Sequence, residues 1–362
     1  PKALYVLMME ARAEAPNLAY WFKIISLLGK DRSDEKVSLL LVLNKRKGST
    51  GMPQYQDLLN LYEEDFDYQF LEVDFSDNDK RWGYLTEAIT KRLFELPIVK
   101  NALPKQWKPI REALREESKT RNYITTDRLH EICSGYGVTV EAEQWQMTDY
   151  LHQLGSLLHF QNDPDLMDLV ILRPEWAVEG VYTTLKSDLI KEVQKGKFSA
   201  QDIFHILRAK GYSNTDSQKI LKLMSKNNFD ICYESESKGH YVAAQLLPDI
   251  APVYPWFPQE VLQFRFQYPM MPKGLMSRLI VRLSEDIEHN SETGEEVVWK
   301  KGVVLFIKTT EGACRVRVRE DDAESKSGLR QITIEVMGDR DARKYALRRV
   351  RDCVEDLHNR WF

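Results

Sequence analysis

The sequence predicts a multi-domain chain, α/β plus α+β: a partial parallel sheet, then a tandem winged-helix-like helical region, then a C-terminal antiparallel sheet with helices. Three observations carry this expectation. Val37-Ser38-Leu39-Leu40-Leu41-Val42-Leu43 is an almost unbroken apolar run inside a strand–helix rhythm, which marks a strand covered on both faces in a parallel sheet. The middle of the chain repeats itself weakly, with helix, helix and two apolar segments around a polar turn in each copy, the pattern of a winged helix. Leu262, Phe264, Phe266 and Tyr268 alternate with polar residues, the period of a half-buried antiparallel strand.

The first region, residues 1–96, alternates three strands with three helices. The strands are read at residues 3–9, 37–43 and 68–73. Between the first two, Leu18, Trp21, Ile25 and Leu28 mark a helical stripe that ends at Gly29. A short helix is read at residues 54–62, and another at 83–96, with Leu85, Ile89 and Leu93 at helical spacing before Pro97 stops it. Such alternation implies right-handed crossovers and a parallel sheet. Ligands of these sheets bind beyond the carboxyl ends of the strands, where Asn44 and Lys45 stand. The same two residues also fit a core strand that ends in a basic turn. A phosphate-binding loop, G-x-x-x-x-G-K-[ST], is absent from these residues: Gly29-Lys30 lacks the earlier Gly, and Gly48-Ser49-Thr50-Gly51 is followed by no Lys.

The second region, residues 97–254, opens on Pro97, Pro104 and Pro109, with Trp107, Ile110 and Leu114 beginning an amphipathic helix. The repeat pairs Ile124-Thr125-Thr126-Asp127-Arg128-Leu129 with Phe198-Ser199-Ala200-Gln201-Asp202-Ile203, each leading to a glycine, Gly137 or Gly211. Second helices are read at residues 144–154 and 216–224, and the paired apolar segments at 157–160 with 169–172 and at 229–233 with 240–244. Winged helices often grip DNA, but here the first candidate reading helix, residues 140–150, carries Glu141, Glu143 and Asp149 and no Lys or Arg, the wrong sign for phosphates. Lys219, Lys222 and Lys226 make the second copy more basic, yet no row of Arg, Asn or Gln is set for base edges. Protein interaction is the better expectation, with Trp145, Trp176 and Tyr182 as packing residues.

The third region, residues 255–362, starts from a proline-stiffened hinge, Tyr254-Pro255-Trp256-Phe257-Pro258. After the strand at 261–268, a helix is expected at 272–287, strands at 297–307, 313–319 and 329–336, and a final helix at 341–361. That helix has Ala342, Tyr345, Ala346, Val350, Cys353, Leu357 and Trp361 on its apolar stripe and five basic residues in its first half. Arg315, Arg317 and Arg319 form a basic row on one strand face, read as a solvated face or a contact for an acidic partner.

Composition narrows the function classes. With 362 residues, two or three domains of about 150 residues are expected. A net charge of -4 gives no global pull toward nucleic acid or anionic membrane. The four cysteines stand far apart without a CxxC and the seven histidines form no HExxH, so a reducing, cytoplasmic setting without a structural zinc is expected. No apolar run approaches the roughly 18 residues of a membrane span, no signal-peptide layout precedes the first strand, and the chain reads as beginning in mid-domain.

The segments ALYVLMMEAR, NLAYWFKIISLLG and VSLLLVLNKRKG resemble the second half of a Roc domain, the Ras-like G domain of Roco proteins. LPKQWKPIREALREE and ILRPEWAVEGVYTTL are similar to the COR domain that follows Roc in that family. The resemblance implies a GTP-binding protein, with GTP or GDP and Mg2+ as ligands of the parent protein and a homodimer formed through the C-terminal COR subdomain, residues 255–362. In Ras-like domains an Asn-Lys-x-Asp run reads the guanine edge, and only Asn44 and Lys45 carry over; Lys47 stands where the family has Asp, and an ammonium has no acceptor to offer. The second guanine-contact loop would fall at Val73-Asp74-Phe75-Ser76, where the match is poor. The expectation is thus the Roc–COR core of a Roco GTPase, with no catalytic or metal-ligating residue of its own and no GTP hydrolysis by these residues alone. The alternative is a COR-type dimerisation scaffold whose G domain has lost nucleotide binding.

Overall fold

The computed structural model describes residues 3–11, 18–29, 36–45, 55–75, 81–96, 103–226, 228–257, 261–268, 271–322 and 330–361. The chain divides into two compact units, one of the chain up to Leu103 together with the residues from His358 onward, the other from Pro104 to Leu357.

The first unit has the order β1 (Leu4–Glu10), α1 (Leu18–Gly29), β2 (Val37–Asn44), α2 (Gln56–Leu61), β3 (Phe66–Val73) and α3 (Arg81–Glu95). The three strands are parallel in the order β1-β2-β3. Every residue of β2 up to Leu43 is buried, because both faces are covered. Leu39, Leu41 and Leu43 pack with Phe22 and Ile25 of α1 and Leu59 of α2, while Leu40 and Val42 pack with Leu85 and Ala88 of α3. That double burial is why the sequence shows a continuous apolar run instead of alternation. On β1, by contrast, Val6 and Met8 remain 41% and 57% exposed.

Two helical stripes differ from the sequence expectation. In α1 the inward residues are Leu18, Phe22 and Ile25, and Trp21 is exposed. In α3 the inward line runs Leu85, Ala88 and Arg92, while Leu93 is exposed. At about 100° per residue, seven positions fall roughly 20° short of two turns and eight overshoot by roughly 80°, so position 92 inherits the buried line. Its guanidinium meets Asp67 of β3 through both terminal nitrogens, a paired charge at the margin of an apolar face.

In the second unit the order is α4 (Trp107–Ser118), β4 (Tyr123–Thr125), α5 (Thr126–Gly135), α6 (Glu141–Gln153), β5 (Leu158–His159) and β6 (Leu169–Ile171), then α7 (Pro174–Leu185), β7 (Lys197–Ser199), α8 (Ala200–Arg208), α9 (Asn214–Met224), β8 (Cys232–Glu234) and β9 (His240–Ala243). The repeat starts one helix earlier than the sequence pairing, since α4 and α7 each lead a copy. Both sheets have one topology, β4-β6-β5 and β7-β9-β8, with the last strand in the centre. The residue pairs matched in sequence are the strand end and helix cap: Thr125 caps α5, and Ser199 caps α8 in a reciprocal box with Asp202. The copies share a core, because Leu169 and Ile171 of the first pack with Trp176, Ile220 and Leu223 of the second.

The remainder comprises β10 (Leu262–Tyr268), α10 (Leu275–Arg282), β11 (Val298–Trp299), β12 (Gly302–Thr309), β13 (Gly312–Asp322), β14 (Arg330–Gly338) and α11 (Ala342–Trp361). They form an antiparallel sheet in the order β10-β14-β13-β12-β11. The strand expected at 297–307 is a hairpin: Trp299 pairs Gly302 around Lys300 and Lys301. The apolar line of α11 is Ala342, Ala346, Val350, Val354 and Leu357, all fully buried, and Tyr345 lies 55% exposed beside it. Tyr254 and Trp256 of the expected hinge are partly buried and pack on Val297, Trp299 and Val304. Pro258, the last residue of the expected hinge, lies outside the described residues.

Candidate functional site

The parallel register sets Glu10, Asn44 and Val73 side by side at the carboxyl edge of the first sheet. The ladder continues one step past the strands, since the Ala11 amide donates to the Asn44 carbonyl at 3.1 Å and the Lys45 amide to the Val73 carbonyl at 2.9 Å. The edge is therefore held by backbone bonds on both sides of β2. The side chain of Asn44 adds a third tie, because its Oδ1 accepts from the Phe75 amide at 3.4 Å. Asn44 thus fastens the turn after β3 to the end of the central strand. Phe75 in turn meets the ring of Trp82 edge-on at 5.1 Å, and Asp74, which precedes it, is 3% exposed.

Lys45 leans on Glu72 of β3, with Nζ 3.3 Å from Oε2 and both side chains about two-fifths exposed. A pair this exposed contributes at most about 1 kcal/mol, so it places the lysine stem over the edge without locking it there. The two sequence-predicted residues are brought together with the turn at Val73-Asp74-Phe75. Lys47, Ser76 and the stretch Gly48-Ser49-Thr50-Gly51 lie outside the described residues. Glu72 belongs to this edge and was not among the sequence-predicted residues; the signal was the register, which no single strand reveals.

Among the described residues the side-chain donors at this edge are the Asn44 carboxamide and the Lys45 ammonium, while the Ala11, Lys45 and Phe75 amides are already bonded within the fold. Such a pair can meet the polar edge of one planar group. Among the described residues no group of three or more His, Cys, Asp or Glu could hold a metal.

The basic rows resolve into intramolecular pairs. Arg317 Nε donates to Glu335 at 2.6 Å, Arg315 Nε to Glu288 at 2.7 Å, and Arg319 Nη1 to Asp321 at 2.8 Å, while the Arg317 guanidinium lies 4.5 Å from the centre of the Trp256 ring. On α9, Lys222 pairs with Asp165 and Lys219 sits over the Tyr123 ring, and just past its end Lys226 pairs with Glu285 at 2.8 Å. The two strongest candidates for a phosphate-binding face are thus spent on the protein itself. Trp145 stacks on His159 with ring centres 5.1 Å apart and Trp176 is buried, but Tyr182 is exposed and carries only Lys186 over its ring. No helix among the described residues is long and apolar enough to cross a membrane.

Comparison with known proteins gives a consistent set of likenesses. Residues 104–247 match the model described as "C-terminal of Roc, COR-A domain", and residues 259–362 the model "C-terminal of Roc, COR-B domain". A probable serine/threonine-protein kinase, pats1 of Dictyostelium discoideum, is 29% identical over 226 residues, 56% of this chain and 7% of that protein. A Roc-COR-CHAT protease from an unknown prokaryotic organism is 22% identical over 336 residues, 89% of this chain and 30% of that protein. The chain therefore spans less than a third of either relative. Among solved structures, that of Methanosarcina barkeri Roco2 RocCORdC bound to GDP is similar at a TM-score of 0.50 and 25% identity, covering 68% of this chain and 73% of that one.

Proposed function

Because the chain belongs to the Roco family as a Roc–COR tandem, we propose that residues 1–96 are the base-facing half of a guanine-nucleotide-binding Roc domain, that residues 97–254 are the N-terminal COR subdomain of double winged-helix type, and that residues 255–362 are the COR subdomain through which two copies pair. The observation that carries the nucleotide reading is the Asn44 side chain at the carboxyl end of the central strand, tied to the Phe75 amide of the neighbouring turn. A carboxamide whose oxygen is held by the neighbouring turn keeps its NH2 as a donor for a ligand beyond the strand end. The GDP present in the Roco2 structure supports a guanine nucleotide as the ligand of the parent protein. Lys45 lays its stem beside the base; GTP and Mg2+ are bound through a phosphate loop that these 362 residues do not carry. Cys133, Cys232, Cys314 and Cys353 are all free thiols, which supports a cytoplasmic setting.

Calorimetric titration tests the reading. The expected result is no GDP or GTP binding by these residues alone and binding by the full-length protein. Micromolar affinity in the chain alone would overturn the half-domain assignment. A second reading is favoured by Lys47: with a donor where guanine needs an acceptor, the protein is a dimerisation scaffold, and full-length protein that binds neither nucleotide supports it. Light scattering on the chain tests pairing, with a dimer expected in both readings and a strict monomer at high concentration against both.

A further inference from the structure

A groove of about 460 Å³ runs along α4 and combines shape with charge. Lys108, Arg111 and Arg115 line one wall, with a single acid, Glu112, among them. The floor is apolar, where Leu114, Leu151 and Leu157 show their edges. Among the described residues none of the three basic side chains has an ion-pair or hydrogen-bond partner. The opposite flank of the same helix is different: Glu116 is engaged by Lys119 at 2.7 Å, and Glu117 by Arg128 at 2.5 Å. Charge on α4 is thus sorted, satisfied on one side and unmet over the groove.

We propose that this groove docks an acidic amphipathic helix of a partner protein, which inserts one aliphatic side chain over the leucine floor. The spacing selects the occupant. Positions 108, 111 and 115 rise about one turn apart and span roughly 10 Å along the helix axis. Cations strung out in a line meet carboxylates repeated at successive turns of a facing helix; they do not converge on one phosphate group. An apolar floor between charged walls is the arrangement that receives the i, i+3, i+4, i+7 anchors of a docked helix. A groove of this volume lies within the range that small ligands also use, but the linear charge row and the open run along α4 fit a peptide.

The test is fluorescence anisotropy on the intact chain. The probe is a labelled 15-residue helical peptide with Glu at i, i+3 and i+7 and Leu at i+4; its scrambled version is the control. Saturable binding is expected for the probe, at least tenfold weaker for the scrambled peptide and for the R111E/R115E variant, unchanged for Lys119→Glu, and falling as salt rises. Circular dichroism confirms that the variants are folded. Equal affinity for probe and scrambled peptide, affinity that survives R111E/R115E, or no saturation at millimolar probe would overturn the proposal. So would a dimer, seen by light scattering, that R111E/R115E alone dissolves, since the groove would then be filled by a second copy. Preferential binding of the wild-type chain to vesicles of anionic lipid over the probe would equally reject it.

Discussion

Replacing Asp230 by Asn isolates the most deeply buried ion pair among the described residues. Arg282 of α10 donates from Nε and Nη2 to Asp230 Oδ2, both at 2.8 Å, and from Nη1 to Asp356 Oδ2 at 2.5 Å. The Arg282 and Asp230 side chains are 8% and 3% exposed, whereas Asp356 is 52% exposed. The triad joins the turn after α9 to α10 and α11, and hence the segments matched by the two COR models. Asp230 has φ 52°, in the left-handed region that Asn also tolerates, so the substitution removes charge and leaves the backbone geometry available. Removing one partner of a buried pair costs about 3–5 kcal/mol; the amide oxygen keeps part of the hydrogen bonding, which places Asp230→Asn near the lower end. At roughly 2–4 °C per kcal/mol for a unit of this size, Tm should fall by roughly 6–12 °C. Asp356→Asn, at the exposed end, should cost under about 1 kcal/mol. Thermal unfolding followed by circular dichroism reads both. A fall under about 2 °C for Asp230→Asn, or an equal fall for the two variants, would refute the reasoning. Adding Arg282→Met to Asp230→Asn should cost less than the sum of the single changes, because the pair shares one interaction.

Four further outcomes are expected. Gly180→Ala places a Cβ 2.8 Å from Ile220 Cδ1 and 3.2 Å from Tyr212 Cε1, an overpacked α7–α9 crossing that should lower stability by about 1–3 kcal/mol in urea titration. Burial, and secondarily the neighbouring His152 and His130, lowers the pKa of His159, although its bond to the Met167 carbonyl pulls the other way; its stabilising contribution is therefore complete above about pH 6.5 and lost as pH falls from there through the lowered folded value. Melts at pH 7.5 and 5.5 should show a loss that His159→Gln reduces. Because the α9 lysines are engaged within the fold, a gel shift of duplex DNA at physiological salt should be absent; a salt-dependent shift would overturn that reading. In full-length protein, Lys47→Asp should tighten guanine nucleotides over adenine by very roughly tenfold to a hundredfold, from one hydrogen bond to a charged acceptor worth about 1.5–3 kcal/mol, and titration with GDP and ADP separates this from a general loop effect.

What the sequence determined by itself is local. The run from Val37 to Leu43 reads as a strand covered twice, and the structure buries all seven residues. The match of Ile124-Thr125-Thr126-Asp127 to Phe198-Ser199-Ala200-Gln201 marked where each repeat turns from strand to helix, and the structure adds that Thr125 and Ser199 cap those helices through bonds spanning only the next three residues. Asn44 and Lys45 were legible as a strand-end pair for the same reason. Periodicity also located the stripes, but it could not choose between neighbours: Trp21 and Leu93 are exposed while Phe22 and Arg92 are buried, because a shift of one residue is about 100° on a helix and the facing sheet decides which side is inward.

Only the tertiary structure decided the fate of charge. In sequence, Arg315, Arg317 and Arg319 form a basic row and Lys222 and Lys226 a basic helix face. In space, Glu288, Glu335, Asp165 and Glu285 meet them from distant parts of the chain. Coulomb interactions act through space and are indifferent to chain separation, so no local pattern foretells which cations are neutralised. The same holds for the Asn44 bond to Phe75, 31 residues away, and for the three groove cations of α4, whose want of a bonded acidic partner among the described residues is visible only in space.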